Sequence, residues 1–152
     1  GLGDVYKRQV KTSNPSSGEL QDMKLETNES VYEHMGKMCE GWGEDLMGKH
    51  GYSAVGAVVG ATYPEQLGEM RAKLPHTFFL VPGYGAQGGG ADDVKNAFDE
   101  NGLGAIINSS RGIMCAWKKQ GLTEDDFAVA ARKEAERMRD EIVGCIGKIK
   151  LG

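Results

Sequence analysis

The chain has 152 residues, a length that suits one domain. It is 39% hydrophobic and 26% charged with a net charge of −4, which excludes a disordered chain and argues against a general binder of nucleic acid or membrane surfaces. No apolar run approaches the roughly 20 residues of a membrane span. Cys39, Cys115 and Cys145 are too far apart for a metal motif and cannot all pair, which points to a reducing, cytoplasmic compartment.

The first nine residues, "GLGDVYKRQ", back-translate to a transposase adapter used in preparing sequencing libraries. Gly1–Gln9 is therefore expected to be foreign sequence that packs against nothing essential, and the protein's own region is expected to run from Val10 to Gly152. On that expectation the natural chain extends further toward its N-terminus. "VKTSNPSSGELQD" begins β-like and breaks at Asn14-Pro15, a turn signal. Ser30 precedes a helical segment in which Val31, Met35, Met38, Cys39, Trp42 and Leu46 form one apolar stripe, ended by Gly48 and Gly51. Ala54–Val59 is apolar throughout, as a strand covered on both faces requires. Pro64 suits a first helical turn, with Leu67, Met70 and Leu74 facing inward.

"FFLV", Phe78–Val81, predicts the next buried strand, and "PGYGAQGGG" follows it as a glycine-rich loop. Ala91–Glu100 reads as a helix, with Asp92 and Asp93 favouring its dipole and Asn101-Gly102 stopping it. "GAII", Gly104–Ile107, is another strand, followed by "NSSRGI" as a loop. Thr123 opens the last helix, where Asp126 completes a capping box and Phe127, Ala131, Met138, Ile142 and Cys145 form the buried face. These are four βα units. They imply parallel strands with helices outside, either as an open doubly wound sheet or as half of a (β/α)₈ barrel.

Both informative loops follow strands, so both lie at the carboxyl edge of the sheet, where α/β proteins of either architecture hold their ligands. The first carries Gly83, Gly85, Gln87, Gly88 and Gly89, and the second Asn108, Ser109, Ser110, Arg111 and Gly112. Glycine lets a ligand approach backbone N–H groups, and arginine presents a planar fork of donors. Together these donors suit a phosphate. Ser13 and Asn14, in the polar loop after the first strand, could bond a planar polar ring or simply turn the chain. His34, His50 and His76 share no metal-ligand spacing, so no metal site is expected. Nucleophilic triads and lysine–aspartate clusters at strand ends are likewise not expected from the sequence.

"TSNPSSGELQD", "VGAVVGATYPEQL", "PGYGAQGGG" and "GAIINSSRGI", in this order, closely resemble orotidine 5′-phosphate decarboxylases of the longer bacterial type. The resemblance runs from about Val10 to the C-terminus. It implies an α/β fold, the C-terminal half of a (β/α)₈ TIM barrel, and the conversion of orotidine 5′-phosphate to UMP and CO2 by a cytoplasmic, homodimeric carboxy-lyase that uses no cofactor. It further implies that Gln87 and Arg111 hold the phosphate, aided by Gly88, Gly89 and Gly112, while Ser13 bonds the pyrimidine and Asn14 shapes its loop. The family's catalytic Asp-Lys-Asp constellation has no counterpart after Val10. No catalytic residue is therefore expected in this chain, and the chain alone is expected to be inactive. The competing readings are another phosphate-binding barrel enzyme and a non-catalytic nucleotide-binding module.

Overall fold

Four parallel strands lie side by side in the order in which the chain makes them: β1 (Tyr6–Lys11), β2 (Val55–Val59), β3 (Phe78–Pro82) and β4 (Ala105–Asn108). The computed structural model describes residues 6–85, 89–147 and 149–150. A doubly wound sheet reverses its strand order at a switch point. This sheet does not reverse, which selects the half-barrel over the open alternative.

The helices occupy one face of the sheet. In chain order they are α1 (Gly18–Gln21), α2 (Val31–Trp42), α3 (Pro64–Lys73), α4 (Ala91–Val94), α5 (Ser110–Met114), α6 (Ala116–Lys119) and α7 (Phe127–Ile146). Val55, Ala57 and Val59 of β2 and Phe79 and Val81 of β3 are buried, in one core with Leu67, Met70 and Leu74. The opposite face is an open apolar hollow lined by Gly56, Phe78, Leu80 and Ile106. Ile106 is 57% exposed there. This alternation is the period-two signature of a sheet with one face packed against helices.

Four sequence expectations about these elements are corrected. First, β1 does not begin at Val10: Tyr6–Gln9 pair with Val55–Val58, and the Arg8 guanidinium stands 5.8 Å from the Trp42 ring centroid. Strand pairing uses backbone groups, so a polar stretch can occupy the position whatever its side chains. Second, α2 buries Tyr32, Gly36 and Cys39, while Met38, Trp42 and Leu46 are exposed. The cause is Gly36, where a Cβ would crowd Met70 and lie 2.9 Å from Leu74 Cδ1, so the helix rolls its glycine face onto α3. Third, α7 buries Ala130, Met138 and Ile142, but Phe127 and Cys145 are exposed. Both stand at the ends of a 20-residue helix that is longer than the core beneath it. The helix expected over Ala91–Glu100 is also shorter, giving way after Val94 to a 3₁₀ turn, Lys95–Ala97.

The amino end of the sheet is held by Arg71. It is 9% exposed, and its guanidinium donates to the carbonyl oxygens of Leu74, Thr77 at 2.8 Å, Gly104 at 3.1 Å and Ala97 at 3.5 Å. One cation thus ties together carbonyls from the end of α3 and from the turns before β3 and β4, adding a second donor to Leu74 O and Gly104 O, which also accept the N–H groups of Thr77 and Phe79.

Candidate active site

The carboxyl ends of β3 and β4 frame an open cavity of about 150 Å³. Its wall comes from Pro82, Gly83 and Tyr84 on one side and from Asn108 to Gly112 on the other, with Ser13 reaching in from the turn after β1. The turn after β3 depends on glycine, because Gly83 and Gly85 have φ of 105° and 77°, in the region that side chains disfavour. The turn closes on itself where the Gly85 N–H donates to the Gly89 carbonyl oxygen at 2.7 Å.

The segment after β4 is not the open loop expected from the sequence. Ser110–Met114 form the single-turn α5, whose first intrahelical bond runs from Ile113 N–H to Ser109 O at 3.0 Å. The N–H groups of Ser110, Arg111 and Gly112 precede that bond, so the helix itself gives them no acceptor. Ser109 does not cap α5 with its side chain. Its buried hydroxyl instead donates to the Tyr84 carbonyl oxygen at 3.0 Å, tying the two strand-end turns together. Gly112 is the residue this arrangement needs, since a Cβ there would collide with the Ser109 hydroxyl.

Tyr84 is anchored from the other side as well. Its ring is buried and its hydroxyl donates to Glu141 of α7 at 2.7 Å. Burial and that bond push the phenol up to about 12, so it is a neutral donor at ordinary pH. Arg111 is exposed at the rim and makes no ion pair among the described residues. Its charge is therefore free to face a ligand anion.

Of the residues singled out from the sequence, Ser13, Arg111 and Gly112 meet at this cavity, together with Gly83 and Asn108 to Ser110 of the two strand-end loops. Asn14 does not line it, and stands exposed at the start of the 3₁₀ turn Pro15–Ser17, without a side-chain cap bond. Gly89 lies buried beneath the turn, where a Cβ would stand 3.2 Å from Ala61 Cβ and 3.3 Å from Gly83 O. Its glycine is explained by close packing. Gln87 and Gly88 lie outside the described residues.

Sequence reasoning missed Tyr84 as a wall residue and missed Lys11. Lys11 is 1% exposed at the end of β1 and bonds Asp22 at 2.6 Å. A lysine–aspartate pair at a strand end therefore exists, contrary to the expectation from the sequence, although neither residue lines the cavity. The only signal for it was a cation directly following the apolar Val10, where a strand enters its turn. No group of three or more His, Cys, Asp or Glu side chains among the described residues is placed to hold a metal ion.

No family model matches the chain. Individual proteins do. It is 44% identical over 139 residues to an orotidine 5′-phosphate decarboxylase of Rhodopirellula baltica, covering 89% of this chain and 46% of that protein. It superposes with a TM-score of 0.72 and 29% identity on a Toxoplasma gondii protein provisionally described as an orotidine-monophosphate decarboxylase, covering 93% of this chain and 51% of the other. A Leishmania donovani OMP decarboxylase matches at a TM-score of 0.65 and 30% identity, over 88% of this chain and 46% of that one. The resemblance noted from the motifs is thus borne out along nearly the whole chain, and the four-stranded sheet corresponds to about half of the barrels it superposes on. The chain spans about half the length of the curated relatives it matches.

Proposed function

We propose that this chain is the phosphate- and pyrimidine-gripping part of an orotidine 5′-phosphate decarboxylase, the carboxy-lyase that forms UMP and CO2 in pyrimidine biosynthesis. The observation that carries the reading is the meeting of Ser13, Arg111 and the first turn of α5 around one cavity at the carboxyl edge, in a chain so similar to proteins of that name.

In this reading the Arg111 guanidinium and the N–H groups of Arg111 and Gly112 hold the 5′-phosphate through charge-assisted hydrogen bonds. Gln87 and Gly88, in the turn after β3, complete the grip. Ser13 bonds the pyrimidine, and Asn14 shapes the turn that carries it. Gly89 serves by packing beneath the turn.

Decarboxylation leaves an electron pair on the ring carbon that loses CO2, and a proton must reach that carbon. The residues here do not perform that step. They bind the substrate at a remote group, and binding energy gained there can orient the ring and stabilise the transition state. The reaction as proposed needs no metal or organic cofactor. The whole enzyme is proposed to be a cytoplasmic homodimer. Among the described residues no helix is long and apolar enough to cross a membrane.

Calorimetric titration with UMP, ribose 5-phosphate and inorganic phosphate tests the reading. UMP is expected to bind most tightly and phosphate least. Equal affinity for all three would remove the pyrimidine role, and no binding of any would overturn the proposal.

A further inference from the structure

The turn that carries Ser13 is tied shut at its base by side chains outside the cavity. Lys11 Nζ reaches Asp22 Oδ1 at 2.6 Å. One residue further in, the Thr12 N–H donates to Gln21 Oε1 at 3.0 Å, while Gln21 Nε2 lies 3.5 Å from Thr12 Oγ1. The ends of the 11–22 segment are therefore cross-linked twice, on adjacent rungs.

The ammonium has been built into the fold. Lys11 is 1% exposed, and its Nζ lies 4.9 Å from the Tyr63 ring centroid and 5.4 Å from that of Tyr32. Two aromatic faces and a carboxylate offset the cost of burying the charge. Tyr32 comes from α2 and Tyr63 from the turn before α3, so the first and second βα units converge on one side chain. On the other side of the backbone, the Gly60 N–H donates to the Lys11 carbonyl oxygen at 2.7 Å. A Cβ on Gly60 would lie 2.9 Å from Ser13 N and 3.0 Å from Ser13 Cβ. Ser13 therefore rests on bare backbone at the end of β2, held there by the cross-linked base of its own turn.

We infer that Lys11 and Asp22 are positioning residues: their ion pair latches the 12–22 turn and sets Ser13 at the cavity mouth. The ligand consequence rests on the function proposed above, but the latch itself does not. With the latch intact, Ser13 is pre-ordered and a ligand ring pays little to immobilise it. With the latch broken, the stem keeps only the weaker Thr12–Gln21 rung and loosens, while Arg111 and α5 stay as they are.

Two variants of the whole chain test this: Lys11→Met, which keeps the volume of the stem, and Asp22→Asn, which keeps the shape of a partly exposed partner. Amide hydrogen exchange is followed by mass spectrometry, and affinities for UMP and ribose 5-phosphate are measured alongside. Both variants should speed exchange in residues 12–22 by about tenfold or more, the loss expected for one charge-assisted hydrogen bond, and leave β3 and β4 unchanged. UMP affinity should fall by about tenfold while ribose 5-phosphate affinity stays within about twofold. Unchanged exchange in the turn in both variants overturns the latch. Equal losses for UMP and ribose 5-phosphate also overturn it, since they indicate general loosening. If the parent chain binds neither compound, the proposed function fails, and the exchange result alone decides the latch.

Discussion

Ser109 and Tyr84 join the two strand-end turns through a single bond, hydroxyl to carbonyl oxygen, at 3.0 Å. Because the Tyr84 hydroxyl is in turn fixed to Glu141 at 2.7 Å, the cavity wall is continuous from β4 through the turn after β3 to α7. Ser109→Ala should cost about 1 kcal/mol of stability, the usual net worth of such a bond. Gly112→Ala should cost more, since its methyl would displace the same hydroxyl and the α5 first turn with it. Denaturant unfolding of both variants gives the order; a Gly112→Ala protein as stable as the parent would show that the wall yields.

Arg111→Ala should weaken phosphate-ligand binding by about 1.5 to 3 kcal/mol, or roughly tenfold or more. Lys118→Ala and Lys119→Ala, at exposed positions on α6, should change it little. Titration of the three variants with UMP separates a specific contact from a general field. Equal losses would remove Arg111 from the phosphate site.

Arg71→Met is expected to be among the most damaging single substitutions in the chain. It removes the charged donor shared by four buried carbonyl oxygens, of which Leu74 O and Gly104 O keep only a backbone N–H. The loss should be about 3 kcal/mol or more, a fall of roughly 10 °C in Tm for a domain of this size. Arg132→Met, on the exposed side of α7, should shift stability by no more than about 0.5 kcal/mol. Thermal unfolding of both distinguishes a structural cation from a solvated one.

Glu33 makes the start of α2 sensitive to acid. Lys73 and the hydroxyl and N–H of Ser30 hold its carboxyl at about 2, well below the ordinary 4.5. A carboxylate whose folded pKa is depressed contributes stability that is complete above its unfolded pKa and disappears as pH falls through the folded value. Glu33→Gln should therefore destabilise the protein at pH 7, with the difference shrinking from about pH 4.5 downward and vanishing near 2. Urea unfolding of parent and variant across that range gives the profile. A difference that does not change with pH would mean that the side chain acts only by shape.

The strands were legible in the sequence because "AVGAVV", "FFLV" and "GAII" are short apolar runs, but the cover expected on both faces is present on one, since Phe78 and Ile106 face the open hollow. The meeting of Ser13 with Arg111 was anticipated only through the rule that strand-end loops share an edge. Three features were hidden for physical reasons. The buried face of α2 is set by Gly36, which carries no hydrophobic signal yet allows the closest approach. The role of Ser109 depends on a bond 25 residues back in the chain, which no local pattern reveals. Lys11 resembles any strand-end lysine until Tyr32, Tyr63 and Asp22 are brought around it from three separate segments of the chain.

The strand order β1-β2-β3-β4 also bears on how the sheet opens. Each strand pairs only with its neighbours in the chain, so no pairing has to wait for a distant segment, and growth can spread outward from one unit as it does in repeat proteins. β2 and β3 have a partner on both sides, and β2 has the most complete burial; β1 and β4 have one partner each. Cooperativity should accordingly be graded, with slowest amide exchange in Ala57–Val59 and Phe79–Val81 and fraying that begins at the outer strands. The cavity straddles this gradient. Its β3 wall belongs to the last part to open and its α5 wall to the first, so partial unfolding would release Arg111 while the turn at Gly83 and Tyr84 is still in place.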